Sequence, residues 1–150
     1  MSHNLLRLIP ADPGFQPAPA AVDEAFALLR EQLPPASYIQ LNRSDEIQFV
    51  DQGGNFERVL CPNCSQDLTS QWSAWMDESH RSQFRIRTIK LPCCKREADL
   101  NDLTYEWPAG FADIAFEVQH PQGQDWLHQR AHQMLEQVLR CRIKQILARY

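Results

Sequence analysis

Glycine is scarce in this chain, five in 150 residues, and the scarcity excludes several kinds of chemistry. A phosphate-cradling loop or a dinucleotide fingerprint needs closely spaced glycines so that the backbone can approach an anion, and neither spacing occurs. A Gly-x-Ser-x-Gly nucleophile elbow is also missing. No apolar run approaches the roughly 18 residues that a bilayer-spanning helix requires. The opening stretch from Met1 to Pro10 holds Arg7 inside a short apolar patch and has no long apolar region ending in a small-residue cleavage site, which points to a cytoplasmic location. Thiols stay reduced in that compartment, so closely paired cysteines there are more often metal ligands than disulfides.

What is present fits one globular domain. The chain is 43% hydrophobic and 23% charged, and a chain of this length buries roughly two thirds of its unfolded surface without needing disulfides. The net charge of −4 hides an asymmetry: residues 1–80 carry 11 acidic and 4 basic side chains, residues 81–150 carry 8 and 11. Within the basic half, Arg81, Arg85, Arg87, Lys90, Lys95 and Arg96 have no acidic residue between them, and Arg140, Arg142, Lys144 and Arg149 form a second cluster. Such clusters suit phosphates or an acidic protein face, and are otherwise solvated surface paired with the acidic half.

Four of the five cysteines fall into two tight pairs, Cys61-Pro62-Asn63-Cys64 and Cys93-Cys94, the second preceded by Leu91-Pro92. Two close pairs set apart by room for a helix and a strand can surround one tetrahedral thiophilic ion, so structural Zn2+ held by Cys61, Cys64, Cys93 and Cys94 is the leading reading. Three cysteines with His80 or His120, free thiols and redox use are the alternatives. The second pair is the awkward one. Neighbouring residues of a strand point to opposite sides, so both thiols reach one ion only where the backbone turns sharply. Cys141 stands alone between apolar residues and reads as a small core side chain.

The remaining pattern predicts an α+β fold, with a mixed or antiparallel sheet, about three helices and an inserted zinc-ribbon-like knuckle. Residues 1–19, with Pro10, Pro13, Gly14, Pro17 and Pro19, read as a proline-rich tail laid over the surface, and 20–150 as a single domain containing the expected zinc site at 61–94. Val22, Phe26, Leu29 and Leu33 predict a helix over 20–33, stopped by Pro34-Pro35. Residues 38–41 and 47–50 alternate like two strands of a hairpin, with Asn42 to Asp45 as its turn. A third strand over 56–60 delivers Cys61. Thr69 or Ser70 can cap a helix ending near His80, and 84–89 reads as a strand running into Pro92. A strand over 112–120 is followed by a helix capped by Asp125, with Leu127, Ala131, Met134, Leu135 and Val138 as its buried stripe. The last ten residues read equally as helix or edge strand. Asp99, Asp102 and Glu106 read as solvated loop carboxylates, and His128 and His132, which lack the Glu of a His-Glu-x-x-His motif, as surface residues.

Several of these segments together, namely Phe56 to Cys64, Trp72, Pro92-Cys93-Cys94, Asn101-Asp102-Leu103, Tyr105, Trp107 to Ala112, Phe116-Glu117 and the closing Arg-Tyr, resemble a family of small, functionally uncharacterised bacterial proteins. Its members carry Cys-Pro-x-Cys, then Pro-Cys-Cys, then Asn-Asp-Leu-x-Tyr-x-Trp-Pro-x-Gly-Phe-Ala, and the likeness runs over roughly residues 20–150. It implies a zinc-ribbon-like site and no particular activity. Relatives place Gly after Cys-Cys where this chain has Lys95, a residue that resists the left-handed backbone of a tight knuckle.

Two functions follow as expectations. One is a non-catalytic, zinc-stabilised protein-binding module without membrane association, of the immunity or antitoxin kind, whose partner is a protein such as a toxin. The other is a nucleic-acid-binding zinc ribbon using Arg85, Arg87, Lys90, Lys95 and Arg96 on phosphates, against which the net acidity weighs. The tryptophans Trp72, Trp75, Trp107 and Trp126 are read as core before contact residues.

Overall fold

The computed structural model describes residues 4–119 and 126–150. Its main layer is a four-stranded sheet in the order β2-β7-β1-β8, built from β1 (Asn4–Pro10), β2 (Tyr38–Val50), β7 (Gly110–Gln119) and β8 (Ile143–Arg149), every adjacent pair antiparallel. Helix α1 (Pro19–Gln32) carries the chain from β1 to β2, and α3 (Gln129–Leu139) from β7 to β8. Each crossover joins two parallel strands that flank a third, which is the split β-α-β arrangement repeated twice. The long connection between β2 and β7 holds everything else: β3 (Val59–Leu60), α2 (Thr69–His80), β4 (Thr88–Lys90), β5 (Glu97–Asp99), a single 3-10 turn at Leu100–Asp102 and β6 (Thr104–Tyr105). The expected α+β class, antiparallel sheet and three helices are therefore present, and the two cysteine pairs sit in an insertion between two strands of the sheet.

Apolar alternation explains both layers. Leu6 and Leu8 of β1, Ile114, Phe116 and Val118 of β7, and Ile143 of β8 meet Val22, Ala25 and Leu29 of α1 and Ala131, Leu135 and Leu139 of α3 in one buried cluster. A second cluster belongs to the insertion, with Val59, Cys61, Leu68, Leu91, Leu100, Leu103 and Tyr105 at its centre, and it joins the sheet through Phe111. Burial of such side chains at about 25 cal/mol per Å2 drives both.

Several expectations need correction. The surface tail expected over 1–19 is not what its described residues form, because Asn4–Pro10 is an inner strand lying between β7 and β8. Leu5, Leu6, Leu8 and Ile9 are all buried, and Pro10 ends this strand without breaking it, since a proline at a strand terminus costs no ladder bond. The proposed hairpin at 38–50 is one strand. Both alternating halves pair with β7; of the residues read as a turn, Asn42 and Arg43 keep their pairing, and Ser44 to Ile47 are extruded as a bulge between Arg43↔Ile114 and Gln48↔Ala112. Within the insertion, the strand expected over 84–89 shrinks to Thr88–Lys90, because Gln83 and Phe84 both take left-handed backbone (φ 58° each). Leu68, with no side-chain bond, stands at the cap of α2, while Thr69 accepts the Val59 amide through its hydroxyl. At α3 the expected cap, Asp125, lies outside the described residues; His128 stands at the N-cap and its Nδ1 accepts the Ala131 amide. The C-terminal residues settle as an edge strand.

Candidate metal centre

The two cysteine pairs lie on two loops with the same hydrogen-bond plan. In the first, the Cys61 amide donates to Gln66 O (2.8 Å) and the Ser65 amide to Cys61 O (3.0 Å). In the second, the Leu91 amide donates to Arg96 O (2.8 Å) and the Lys95 amide to Leu91 O (2.9 Å). The fifth residue of each loop is left-handed, Ser65 at φ 63° and Lys95 at φ 59°. Lys95 thus adopts a left-handed turn that glycine would favour, at a cost of about 1 kcal/mol. Pro62 matches Pro92, Cys64 matches Cys94, Cys61 matches Leu91, and Asn63 matches Cys93.

This correspondence answers the difficulty of adjacent cysteines. Leu91 fills the core where the first loop has Cys61, and both residues are almost fully buried. The third position of each loop instead reaches across to the other loop. Asn63 Nδ2 donates to Cys94 Sγ at 3.6 Å, and the Cys93 sulfur lies within 4.8 Å of the Cys61 sulfur. The turn between Cys93 and Cys94 therefore brings both thiols to the same side.

The sulfur geometry fits a thiophilic ion. Tetrahedral thiolate ligation at about 2.3 Å places sulfurs about 3.8 Å apart. Cys61 Sγ and Cys94 Sγ stand 3.9 Å apart, and the sulfurs of Cys61, Cys93 and Cys94 all lie within 4.8 Å of one another. Cys64, exposed, lies close by but outside this set of mutually near sulfurs. The Asn63 amide donates to Cys61 Sγ at 3.4 Å, and the Gln66 amide donates to the Cys64 thiol and holds it below its ordinary value, a shift that Cys93 adds to. The Cys93 thiol is pushed up to about 12, first by desolvation at its sulfur and then by hydrogen bonds to Cys64 and Cys61. Backbone donors aimed at sulfur stabilise thiolates, the form that binds metal. The four cysteines lie together and can hold a metal ion, and four sulfurs leave a tetrahedral ion no open position for substrate or water. Of the histidines that could be a fourth ligand, His80 meets the Phe84 ring edge-on, centroids 5.4 Å apart, and His120 is outside the described residues.

The basic residues do not act as one group. Arg87 is half-buried and spoken for: its guanidinium makes a two-pronged contact with Asp99 at 3.1 and 3.2 Å and donates to Phe84 O. Lys90 faces Glu97 across β4 and β5. Arg85, Lys95 and Arg96 are exposed. Asp99 also accepts the Asn101 amide, and Glu106 pairs with Arg58, so two of the three loop carboxylates are structural. His132 pairs with Glu136 at 3.4 Å and contacts Gln145.

Two features escaped the sequence reading. Asn101, buried, bolts the insertion to the sheet: its Nδ2 donates to Ala11 O at 2.8 Å, and its Oδ1 accepts the Phe111 amide and the Lys144 ammonium. Lys144 also donates to the carbonyls of Asn101 and Ala109, and its stem fills the space that a Cβ on Gly110 would need. The second is a polar cluster on the sheet face away from the helices, where Arg7 contacts Asp51, Glu117 and the Tyr150 hydroxyl. Arg7 lies opposite Glu117 in the register, but nothing in the sequence alone pairs β1 with β7. Of the tryptophans, Trp72 and Trp75 pack on the insertion core, whereas Trp107 and Trp126 are exposed and stacked on each other at 6.2 Å.

No protein-family model, no curated protein and no solved structure matches the chain.

Proposed function

We propose that this is a non-catalytic protein-binding module whose insertion is held rigid by one structural zinc ion on Cys61, Cys64, Cys93 and Cys94, acting in the cytoplasm by occluding a partner protein as immunity and antitoxin proteins do. The observation that carries the reading is the convergence of four sulfurs from two matching loops, with Cys61 and Cys94 3.9 Å apart. A thiolate set that fills a tetrahedron gives zinc a structural task, and a rigid domain loses less entropy when it docks. The exposed pair Trp107 and Trp126 supplies the kind of aromatic surface that anchors protein interfaces.

The alternative, a nucleic-acid-binding zinc ribbon, needs a coherent set of free cations. Arg87 is committed to Asp99, which leaves Arg85, Lys90, Lys95 and Arg96 of the five, with Glu97 across from Lys90. Four exposed cations on a chain of net charge −4 favour the protein-binding reading.

Native mass spectrometry of protein purified without chelator tests the metal, with about one zinc per chain expected. The cobalt-substituted protein should show the intense near-ultraviolet bands of a tetrathiolate, and Cys61→Ser or Cys64→Ser should lose the metal together with the ordered structure of the insertion and lower the melting temperature. A metal-free preparation that melts cooperatively at the same temperature as the zinc-loaded one would overturn the reading.

A further inference from the structure

Between the C-terminal half of α2 and strand β4 runs a groove of 510 Å3, with Trp75 and Ser79 on the helix side and Ile86, Thr88 and Lys90 on the strand side. Two features of the local backbone bear on its use. The first is the unpaired edge of β4. The Arg87 carbonyl accepts from the Leu100 amide and the Leu91 amide donates to Arg96 O, so residues 87, 89 and 91 turn their backbone groups toward β5. By alternation Thr88 and Lys90 turn theirs outward, and among the described residues nothing bonds to them. The second is Ile86, 69% exposed, a large apolar side chain standing in solvent beside this edge.

The loop that presents Ile86 is braced. The Ile86 amide donates to the Ser82 hydroxyl (2.9 Å), its carbonyl accepts from the Ser79 hydroxyl (2.6 Å), and Arg87 ties the Phe84 carbonyl to Asp99. Gln83 and Phe84 both hold left-handed backbone there, a conformation that costs energy in residues with side chains. Rigid display of an apolar side chain next to two free amides and two free carbonyls prepares a surface for an added strand.

We propose that β4 receives an extended acidic segment of the partner protein, which adds as a third strand to β4 and β5, lays an apolar side chain against Ile86 and Trp75, and sets carboxylates toward Arg81, Arg85 and Lys90. Charge selects this occupant. Residues 81–96 carry six cations and no carboxylate; the acidic neighbours are Glu78, paired with Arg81, Asp99, paired with Arg87, and Glu97, across from Lys90. A lysine on an edge strand repels a second copy of the same edge and attracts an acidic one. The inference names the partner class and docking place within the protein-binding reading and rests on it.

The test uses the full zinc-loaded chain labelled with 15N, titrated to millimolar concentration with a hexapeptide of alternating Glu and Val. The Thr88 and Lys90 amide signals should shift and gain protection from exchange, a hexapeptide of alternating Lys and Val should leave them in place, and Thr88→Pro should weaken binding at least about tenfold. Proline is suited to an edge position whose N–H faces solvent, and an unchanged far-ultraviolet spectrum and zinc content show that the variant is folded; Ile86→Ser, which leaves the backbone alone, should weaken binding as well. Signals that stay fixed with the acidic peptide, or equal binding by Thr88→Pro, overturn the proposal, as does a shift produced only by oligo-dT. Both forms are then used as bait in extracts of the source cells. A partner held by the parent and lost by Thr88→Pro supports the docking site, a partner held by both overturns it while leaving the protein-binding reading intact, and no partner for either overturns both.

Discussion

Replacing Asn101 with alanine should loosen the joint between insertion and sheet more than any other single polar change there. The side chain is 6% exposed and serves three groups at once. Its Oδ1 is the acceptor for the Phe111 amide (3.2 Å), and Phe111 is fully buried, so water cannot replace the lost bond. An orphaned buried donor costs about 1–3 kcal/mol. Its Nδ2 bond to Ala11 O (2.8 Å) spans 90 residues of chain, and loss of an ordinary hydrogen bond to a half-buried carbonyl adds about 1 kcal/mol. The Lys144 ammonium keeps the carbonyls of Asn101 and Ala109, so its share of the loss is small. The sum is about 3 kcal/mol, or a melting temperature lower by about 6–12 °C for a chain of this size. Urea titration and calorimetry at fixed zinc concentration measure it, with the exposed neighbour Asp102→Ala as a control expected to stay within about 0.5 kcal/mol. Hydrogen exchange should quicken first at Phe111. A variant within about 0.5 kcal/mol of the parent would refute the claim that this side chain joins the two cores.

Gly53→Ala should destabilise by about 2–3 kcal/mol in the same urea assay, because φ at this position is 56° and an added Cβ would collide with the Arg149 carbonyl as the chain leaves β2 beside β8. Cys141 is raised to about 11, first by desolvation and then by Glu136 and Asp12. Its folded value lies above the ordinary 9.0, so the stability it contributes is complete below pH 9 and fades between pH 9 and 11. Cys141→Ala should therefore flatten the alkaline fall in stability over that window, read as the difference between variant and parent. An identical slope in both would remove the argument.

Much of the scaffold was legible in periodicity. The helical spacing of Val22, Phe26 and Leu29 locates α1 within a residue at each end, and Leu127, Ala131 and Leu135 give the buried face of α3. The misses have physical causes. Prolines around β1 suggested a tail because their effect depends on whether an N–H would have been used, which is a tertiary fact. The alternating halves of β2 were each visible, but one partner strand pairs with both, and β7 lies 60 residues further on. As for the site, the four cysteines are readable as a group, and a sharp turn at Cys93 and Cys94 is the condition for it. The matching of the two loops was also in the sequence, in Cys-Pro-Asn-Cys-Ser-Gln set against Leu-Pro-Cys-Cys-Lys-Arg. Aligning on cysteine hides that match, and aligning on proline exposes it. Asn101 had no local signal, since a buried amide is recognised only by the backbone groups it meets.

The strands of the insertion are two or three residues long, well below the length at which a two-stranded ribbon persists alone in water. Two devices compensate: the apolar cluster that reaches the sheet through Phe111, and the cysteine cluster that ties the β3 loop to the β4–β5 loop. The second acts at the edge of the first, since Cys64 and Cys93 are exposed residues. The rim of the groove follows directly from it, because β4 runs into the loop that carries Cys93 and Cys94 and has only three residues of pairing to hold it otherwise. On this argument the thiol cluster fixes the position of the free edge at Thr88 and Lys90. Its removal should disorder that edge while the sheet, with its own helix-covered core, keeps its protection.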